Sequence, residues 1–200
     1  MNNKNNNYMS DLRLLGLLIL IGALGLTCGS CNSTNKNNNK NQTDSISSAT
    51  KANVDYNQIG NQLLLNEKIG ELKIGLSIAK TIDLLGEPSE RTKLEIWGAD
   101  GDSHYTMIYK DKGIEIDIVG ENKTKQKVES ITVTEPCSFK TNENIGIGTN
   151  INAIKNAYKG LVNPEFSDSN TLVVGSIYGG LIFKMEKDKV NKIILGAVAE

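Results

Sequence analysis

The segment from Trp97 to Tyr105 holds residue types that often do chemistry, because it combines the single Trp and the single His of the chain with Asp100 and Asp102. The two acids have the spacing of a calcium-binding loop, but Tyr105 stands where such a loop requires Gly. Asp-Gly between two strand-like segments is instead typical of a hairpin turn. The sequence therefore predicts a turn at Asp100 rather than a calcium site.

Two further sets of side chains would suit catalysis. Glu115 and Asp117 alternate with isoleucines, which places both carboxylates on one strand face about 7 Å apart, a separation compatible with glycoside hydrolysis. Cys137 and His104 would supply a nucleophile and a base, but the sequence offers no third group to orient them. Alternating charge is more typical of a solvated strand face. We therefore expect no enzyme, metal or cofactor site, and keep a carboxylate-dependent hydrolase only as an alternative.

Aromatic side chains suggest a binding surface. Tyr105, Met107 and Tyr109 alternate along one predicted strand and share a face, which Trp97 would join from the neighbouring strand. On an open face these rings would mark a protein interface; on the core face they would pack inside. Both arrangements remain open, and the candidate protein-binding residues are Trp97, Asp100, Tyr105 and Tyr109.

The N-terminus has the features of a secretory leader. Basic residues precede an apolar run from Leu14 to Leu26 that is too short for a membrane span. Cys28 and Cys31 follow it, and a Cys-x-x-Cys pair in this position, before a polar tract, does not favour redox or metal chemistry. A leader without lipid attachment is a further alternative.

The leader and its cysteine resemble the lipobox of bacterial lipoproteins, in which a Cys receives diacylglycerol, is acylated with fatty acids such as palmitate and becomes the mature N-terminus. The resemblance implies lipidation at Cys28, directly after the apolar run, with Cys31 as the alternative. The residue after the cysteine is Gly29 or Asn32, not the Asp that retains some lipoproteins in the inner membrane, so we expect the outer membrane more than the inner one.

Composition sets the remaining limits. From Asn32 to Asn53 the only apolar residues are Ile46, Ala49 and Ala52, so this segment is expected to be a disordered tether with a reach of about 25 Å. The net charge of −1 lacks the basic excess of nucleic-acid-binding proteins. Pairing of Cys31 with Cys137 stays open.

The rest of the chain contains an internal similarity. Residues 74–78 are echoed by residues 147–151, and each copy continues into a short helical pattern, the first capped by Ser77 and the second by Asn150. Alternating patterns then predict strands. The predicted strands are 93–97, 103–110, 113–119 and 127–134 in the first copy and 171–176, 181–186 and 190–198 in the second. The sequence predicts an α+β fold of two helix-plus-antiparallel-meander repeats, each with one face free.

This layout resembles the β-lactamase inhibitor protein-like fold, whose tandem repeats join into one curved sheet. It is also similar to the SmpA/OmlA outer-membrane lipoproteins, whose opening motif looks like residues 73–88. The first resemblance implies that a hairpin-loop carboxylate enters a target, and Asp100 is the residue here that matches it. Neither repeat contains a cysteine pair that could form a disulfide, which distinguishes the chain from the inhibitors.

Together these features predict four segments: a signal peptide at 1–27, a lipid-anchored tether at 28–53, and repeats at 54–140 and 141–200. We expect a lipid-anchored envelope protein with a non-catalytic surface for an envelope or extracellular protein partner, attached to the membrane through its lipid and binding no nucleic acid. A component of outer-membrane assembly or envelope integrity is the main alternative.

Overall fold

The computed structural model describes residues 54–122 and 124–198. The predicted signal peptide, both candidate lipidation cysteines and the tether lie outside the described residues. Within the two described stretches, none of the helices combines the length and hydropathy that a membrane span requires.

Three short helices are present in the described chain: α1 (Tyr56–Asn66), α2 (Ile78–Leu85) and α3 (Ile151–Ala157). The two predicted caps are confirmed, because Ser77 Oγ accepts a hydrogen bond from the Lys80 N–H and Asn150 Oδ1 accepts one from the Asn152 N–H. Helix α2 ends at Gly86, which has a φ of 80°.

One antiparallel sheet of eight strands runs through both predicted repeats, which confirms the α+β class. Its order is β1-β3-β4-β5-β8-β7-β6, and β2 also pairs with β3. The strands are β1 (Glu90–Arg91), β2 (Glu95–Ile96), β3 (Ser103–Tyr109), β4 (Ile114–Gly120), β5 (Lys127–Thr134), β6 (Thr171–Ser176), β7 (Gly179–Glu186) and β8 (Lys189–Gly196). The junction between the halves is the β5–β8 pair.

The core lies between the helices and one face of the sheet. Alternate side chains of β3, β4 and β5, such as Met107, Ile116 and Ile131, are fully buried in a cluster that also contains Leu85 of α2 and Ile154 of α3. We call the opposite side of the sheet the outer face. Residues of the first meander that point to it include the polar side chains of Thr106, Asp117 and Ser130 and the apolar side chains of Ile108 and Val119.

The predicted strand at 93–97 is wrong as a continuous element. Arg91 is opposite Met107, but Glu95 is opposite His104, so the edge strand contains one residue more than β3 between these two pairs. This extra residue is a β-bulge, which divides the edge into two strands of two residues each.

The second meander departs from the expectation of one free face. Val173 of β6 and Ile182 of β7 are 1% and 0% exposed, although they alternate with the core residues Leu172 and Phe183. The sequence runs Leu172–Val174 and Leu181–Phe183 are continuously apolar, which is the pattern of strands buried on both faces. The polar outer face therefore belongs to the first meander.

Candidate functional site: a groove on the outer face

A groove of about 620 Å³ lies on the outer face and crosses from β2 to the end of β8. Its side chains come from the edge and from three central strands, and Ala197 and Val198 lie at its far end. The polar and aromatic residues that line it include Trp97, His104, Tyr105, Thr106, Asp117, Glu129 and Ser130.

The β2–β3 hairpin places Trp97 at the rim of the groove and Asp100 beside it, against His104. The Trp97 N–H donates to the Asp102 carbonyl at 3.1 Å, and the Gly101 N–H donates to the Trp97 carbonyl at 2.9 Å. Gly101 has a φ of 77°, in the left-handed region that favours glycine. The predicted Asp-Gly turn is therefore confirmed, and it carries Asp100 back over the start of β3.

His104 lies in the wall of the groove, with its side chain only 8% exposed. The Trp97 ring stacks on it, with ring centroids 3.9 Å apart and planes 8° from parallel. Its Nε2 is 2.9 Å from Asp100 Oδ2, and its Nδ1 is 3.4 Å from Glu129 Oε2. The imidazole thus joins the hairpin turn to β5.

A second bulge brings Glu129 to the groove. Ile118 is opposite Val128 and Asp117 is opposite Ser130, so Glu129 is the extra residue in β5. At such a bulge two consecutive side chains oppose a single partner residue. Glu129 and Ser130 therefore both line the groove, whereas strict alternation would have placed one of them in the core.

Asp117 is held on the groove floor by two hydroxyl groups. Thr106 Oγ1 donates to Asp117 Oδ1 at 2.7 Å, and Ser130 Oγ donates to Asp117 Oδ2. Gly196 leaves room for Ser130, because a Cβ built at Gly196 would lie 2.6 Å from the Ser130 Cβ. The floor is therefore a closely fitted polar network.

Two carboxyl groups in this region have shifted pKa values. A hydrogen bond from the Asp102 backbone N–H, together with the bond to His104, lowers the pKa of Asp100. Burial raises the pKa of Glu129, and the negative charges of Asp117 and Asp100 raise it further, while His104 acts in the opposite direction. These acidic groups are close enough to influence one another's ionisation.

The structure separates the four candidate binding residues. Trp97 and Tyr105 line the groove, and Asp100 contacts its wall through the hydrogen bond to His104, whereas Tyr109 is 2% exposed. Tyr105 also packs against the core cluster. Of the two arrangements left open by the sequence, the core-face one therefore holds for Tyr105, Met107 and Tyr109. Trp97 joins His104 on the other side of the sheet.

The candidate catalytic residues are also separated. Glu115 and Asp117 lie on the outer face as predicted, but only Asp117 lines the groove. Cys137 is buried in the core cluster, whereas His104 faces the groove, and burial raises the pKa of the Cys137 thiol. Sequence reasoning missed Glu129 and Ser130, because the bulge that places them has no local signature.

The fold and groove define an α+β protein with one antiparallel sheet and a polar, aromatic-rimmed groove on its outer face. The model of the family described as Domain of unknown function (DUF7738) matches residues 53–168. This is more than half of the chain, and the protein belongs to that family. The matched residues include the groove from Thr92 to Ser130 and end before β6. Comparisons with curated proteins and with solved structures gave no match.

Proposed function

We propose that this protein is a lipid-anchored component of a bacterial envelope that binds another protein, without catalysis, at the groove and the adjoining sheet edge. The observation that carries the binding proposal is the position of Trp97. Its ring is 38% exposed at the groove rim, yet it is fixed by stacking on a buried imidazole. A large aromatic ring held in place in this way loses little conformational freedom when a partner covers it.

Apolar exposure continues along the sheet edge beside Trp97. Leu94 and Ile96 are 46% and 73% exposed, so three apolar side chains lie within four residues of the edge. The charged residues Lys93 and Glu95 alternate with them. An apolar centre bordered by polar groups is the usual composition of a protein interface.

The two edges of the sheet differ in accessibility. The edge at β6 is covered by residues 161–170, with the Asn163 N–H donating to the Val173 carbonyl and the Gly175 N–H donating to the Leu161 carbonyl. Within the described chain, β1 and β2 pair only with β3. A partner can therefore reach the sheet at the edge that carries Trp97.

Equivalent contacts in the two halves support the proposed tandem repeat. The Gly75 N–H donates to the Val128 carbonyl at 2.8 Å, and the Val128 N–H returns a bond to the Leu76 carbonyl at 2.9 Å. Gly148 and Thr149 make the same pair of bonds with Val190, at 2.7 and 2.9 Å. In both halves the segment before the helix thus binds the last strand of its meander, as expected if the two halves are copies of one unit.

The hydrogen bonds of Asp117 favour binding over hydrolysis. Its two oxygens already accept bonds from Thr106 and Ser130, and its strand neighbour Glu115 lies outside the groove. A catalytic carboxylate pair would need both groups directed at one substrate bond. We therefore assign Asp117 a structural role in the groove and not a catalytic one.

The experiment compares partner capture by Trp97→Ala and Phe166→Ala variants of the full chain in cells. Phe166 is also 38% exposed, but it lies in the loop before β6 and not at the groove, which makes it a matched control. Chemical crosslinking followed by mass spectrometry should give a discrete adduct with the wild-type chain and with Phe166→Ala. Trp97→Ala should lose about tenfold or more of that adduct, as expected for an aromatic hot spot.

Equal adduct yields from both folded variants would contradict the proposed surface. Absence of any discrete protein adduct from the wild-type chain would contradict protein binding itself. Circular dichroism of each variant establishes that the fold is intact.

A further inference from the structure

Both nitrogens of the buried His104 ring face carboxylate oxygens, Asp100 Oδ2 at 2.9 Å and Glu129 Oε2 at 3.4 Å. A neutral imidazole has one N–H and one lone pair, so it can donate to only one of two carboxylates. The charged ring has two N–H donors. The geometry around His104 is therefore satisfied on both sides only when the imidazole is protonated or when Glu129 carries a proton.

The elements that pack around this ring all carry charged side chains. The turn supplies Asp100, β4 supplies Asp117, and β2 supplies Glu95 directly opposite His104. Strand β5 supplies Glu129, and the two nearby lysines belong to the edge and to β5. The full set is Lys93, Glu95, Asp100, Asp117, Lys127 and Glu129. Four acids against two lysines leave a negative surrounding.

His104 also holds the hairpin turn in position. Trp97 stacks on its face, and Asp100, on the turn, bonds to its edge. The remaining bonds of the turn, from the N–H groups of Trp97, Gly101 and Asp102, stay within the hairpin. Contact between the turn and the inner strands of the sheet therefore runs through the imidazole.

We propose that His104 is a pH-sensitive latch that sets the position of Trp97. With the imidazole charged, the turn is held against β5 and the Trp97 ring is fixed at the groove rim. A neutral ring keeps only one N–H, so one of its two carboxylate contacts is lost and the link between the turn and β5 is broken. This inference rests on the proposed function, since it makes partner binding strongest under mildly acidic conditions and weaker as the pH rises.

The pKa shifts of the two carboxyl groups act at opposite ends of the pH range. A raised pKa means that Glu129 favours its neutral form in the folded protein, so this region loses stability as the pH rises and Glu129 ionises. The lowered pKa of Asp100 gives a stabilising contribution that is present above the ordinary Asp range and is lost only as the pH falls below about 4.

The chain provides its own probe, because it contains one Trp and one His. Trp97 emission and its quenching by acrylamide are measured on the full chain between pH 4.5 and 8.5, which brackets the range in which imidazoles change charge. We expect emission at longer wavelength and stronger quenching as the pH rises, following a single-proton curve. His104→Gln should remove this step. Glu129→Gln should move its midpoint to lower pH, and Glu115→Gln, on the same face but outside the groove, should leave it unchanged.

Flat emission across this range in the wild-type chain, or an unchanged step in His104→Gln, would overturn the latch. If His104→Gln does not fold, the wild-type curve and the Glu129→Gln midpoint still decide the question. The readout needs no partner, so its failure leaves protein binding standing, whereas failure of partner capture at every pH contradicts the binding proposal and leaves the titration intact.

Discussion

Two buried tyrosines differ in what their hydroxyl groups contact. Tyr158 Oη donates to Thr141 Oγ1 at 2.9 Å and is 3.4 Å from Glu67 Oε2. Tyr109 Oη has no hydrogen-bond partner among the described residues. Burial raises the pKa of both phenols, so both stay neutral over the physiological range. The same side chain is thus expected to have opposite effects on stability at these two positions.

Replacement of each Tyr by Phe tests this difference. Tyr109→Phe should raise the free energy of unfolding by about 1 kcal/mol, because it removes an unpaired buried hydroxyl. Tyr158→Phe should lower it by about 1 kcal/mol, because the buried hydrogen bond from Tyr158 to Thr141 is lost. Urea denaturation measures both changes. Shifts of the same sign would show that the two hydroxyl groups have equivalent surroundings.

At the scale of elements, helix α1 depends on one close approach of backbones. Gly60 is in the middle of the helix, and a Cβ built there would be 1.9 Å from the Gly179 carbonyl oxygen and 3.2 Å from the Ser176 nitrogen. Glycine is a poor helix former, so its presence here is explained by contact with the β6–β7 hairpin rather than by helix propensity.

Gly60→Ala should therefore lower stability by about 2 kcal/mol or more, despite a gain of about 1 kcal/mol in helix propensity. The control is Gly98→Ala, where a Cβ would meet nothing within 4 Å, and this change should stay within about 0.5 kcal/mol. Thermal unfolding compares the two variants. A Gly60→Ala protein as stable as wild type would mean that α1 does not pack this closely.

Local sequence patterns predict some of the helices and strands and miss others. Strands β5 and β6 match their predicted limits, because apolar alternation and flanking turn residues define each of them locally. Helix α1 was not predicted, since Gly60 interrupts it and its leucines are consecutive rather than spaced. The two bulges were missed because a bulge is set by how two strands pair. Of the residues that line the groove, the sequence consequently singles out Trp97, His104, Tyr105 and Asp117, but not as one site.

At the scale of the whole molecule, the two meanders have different surfaces on one continuous sheet. The first presents a polar groove and a free edge, while the second buries β6 and β7 on both faces. A module of this kind has one side available for a partner. The predicted tether has a typical reach of about 25 Å, which would keep this module near a membrane.

The proposal that this is an anchored envelope protein is tested most directly by the intact mass of the mature chain purified from the cells that make it. We predict an N-terminus at Cys28 carrying a diacylglycerol group, with loss of both the lipid and membrane association in Cys28→Ala and retention in Cys31→Ala. The reverse pattern would move the anchor to Cys31. An unmodified chain recovered in the soluble fraction would contradict the account.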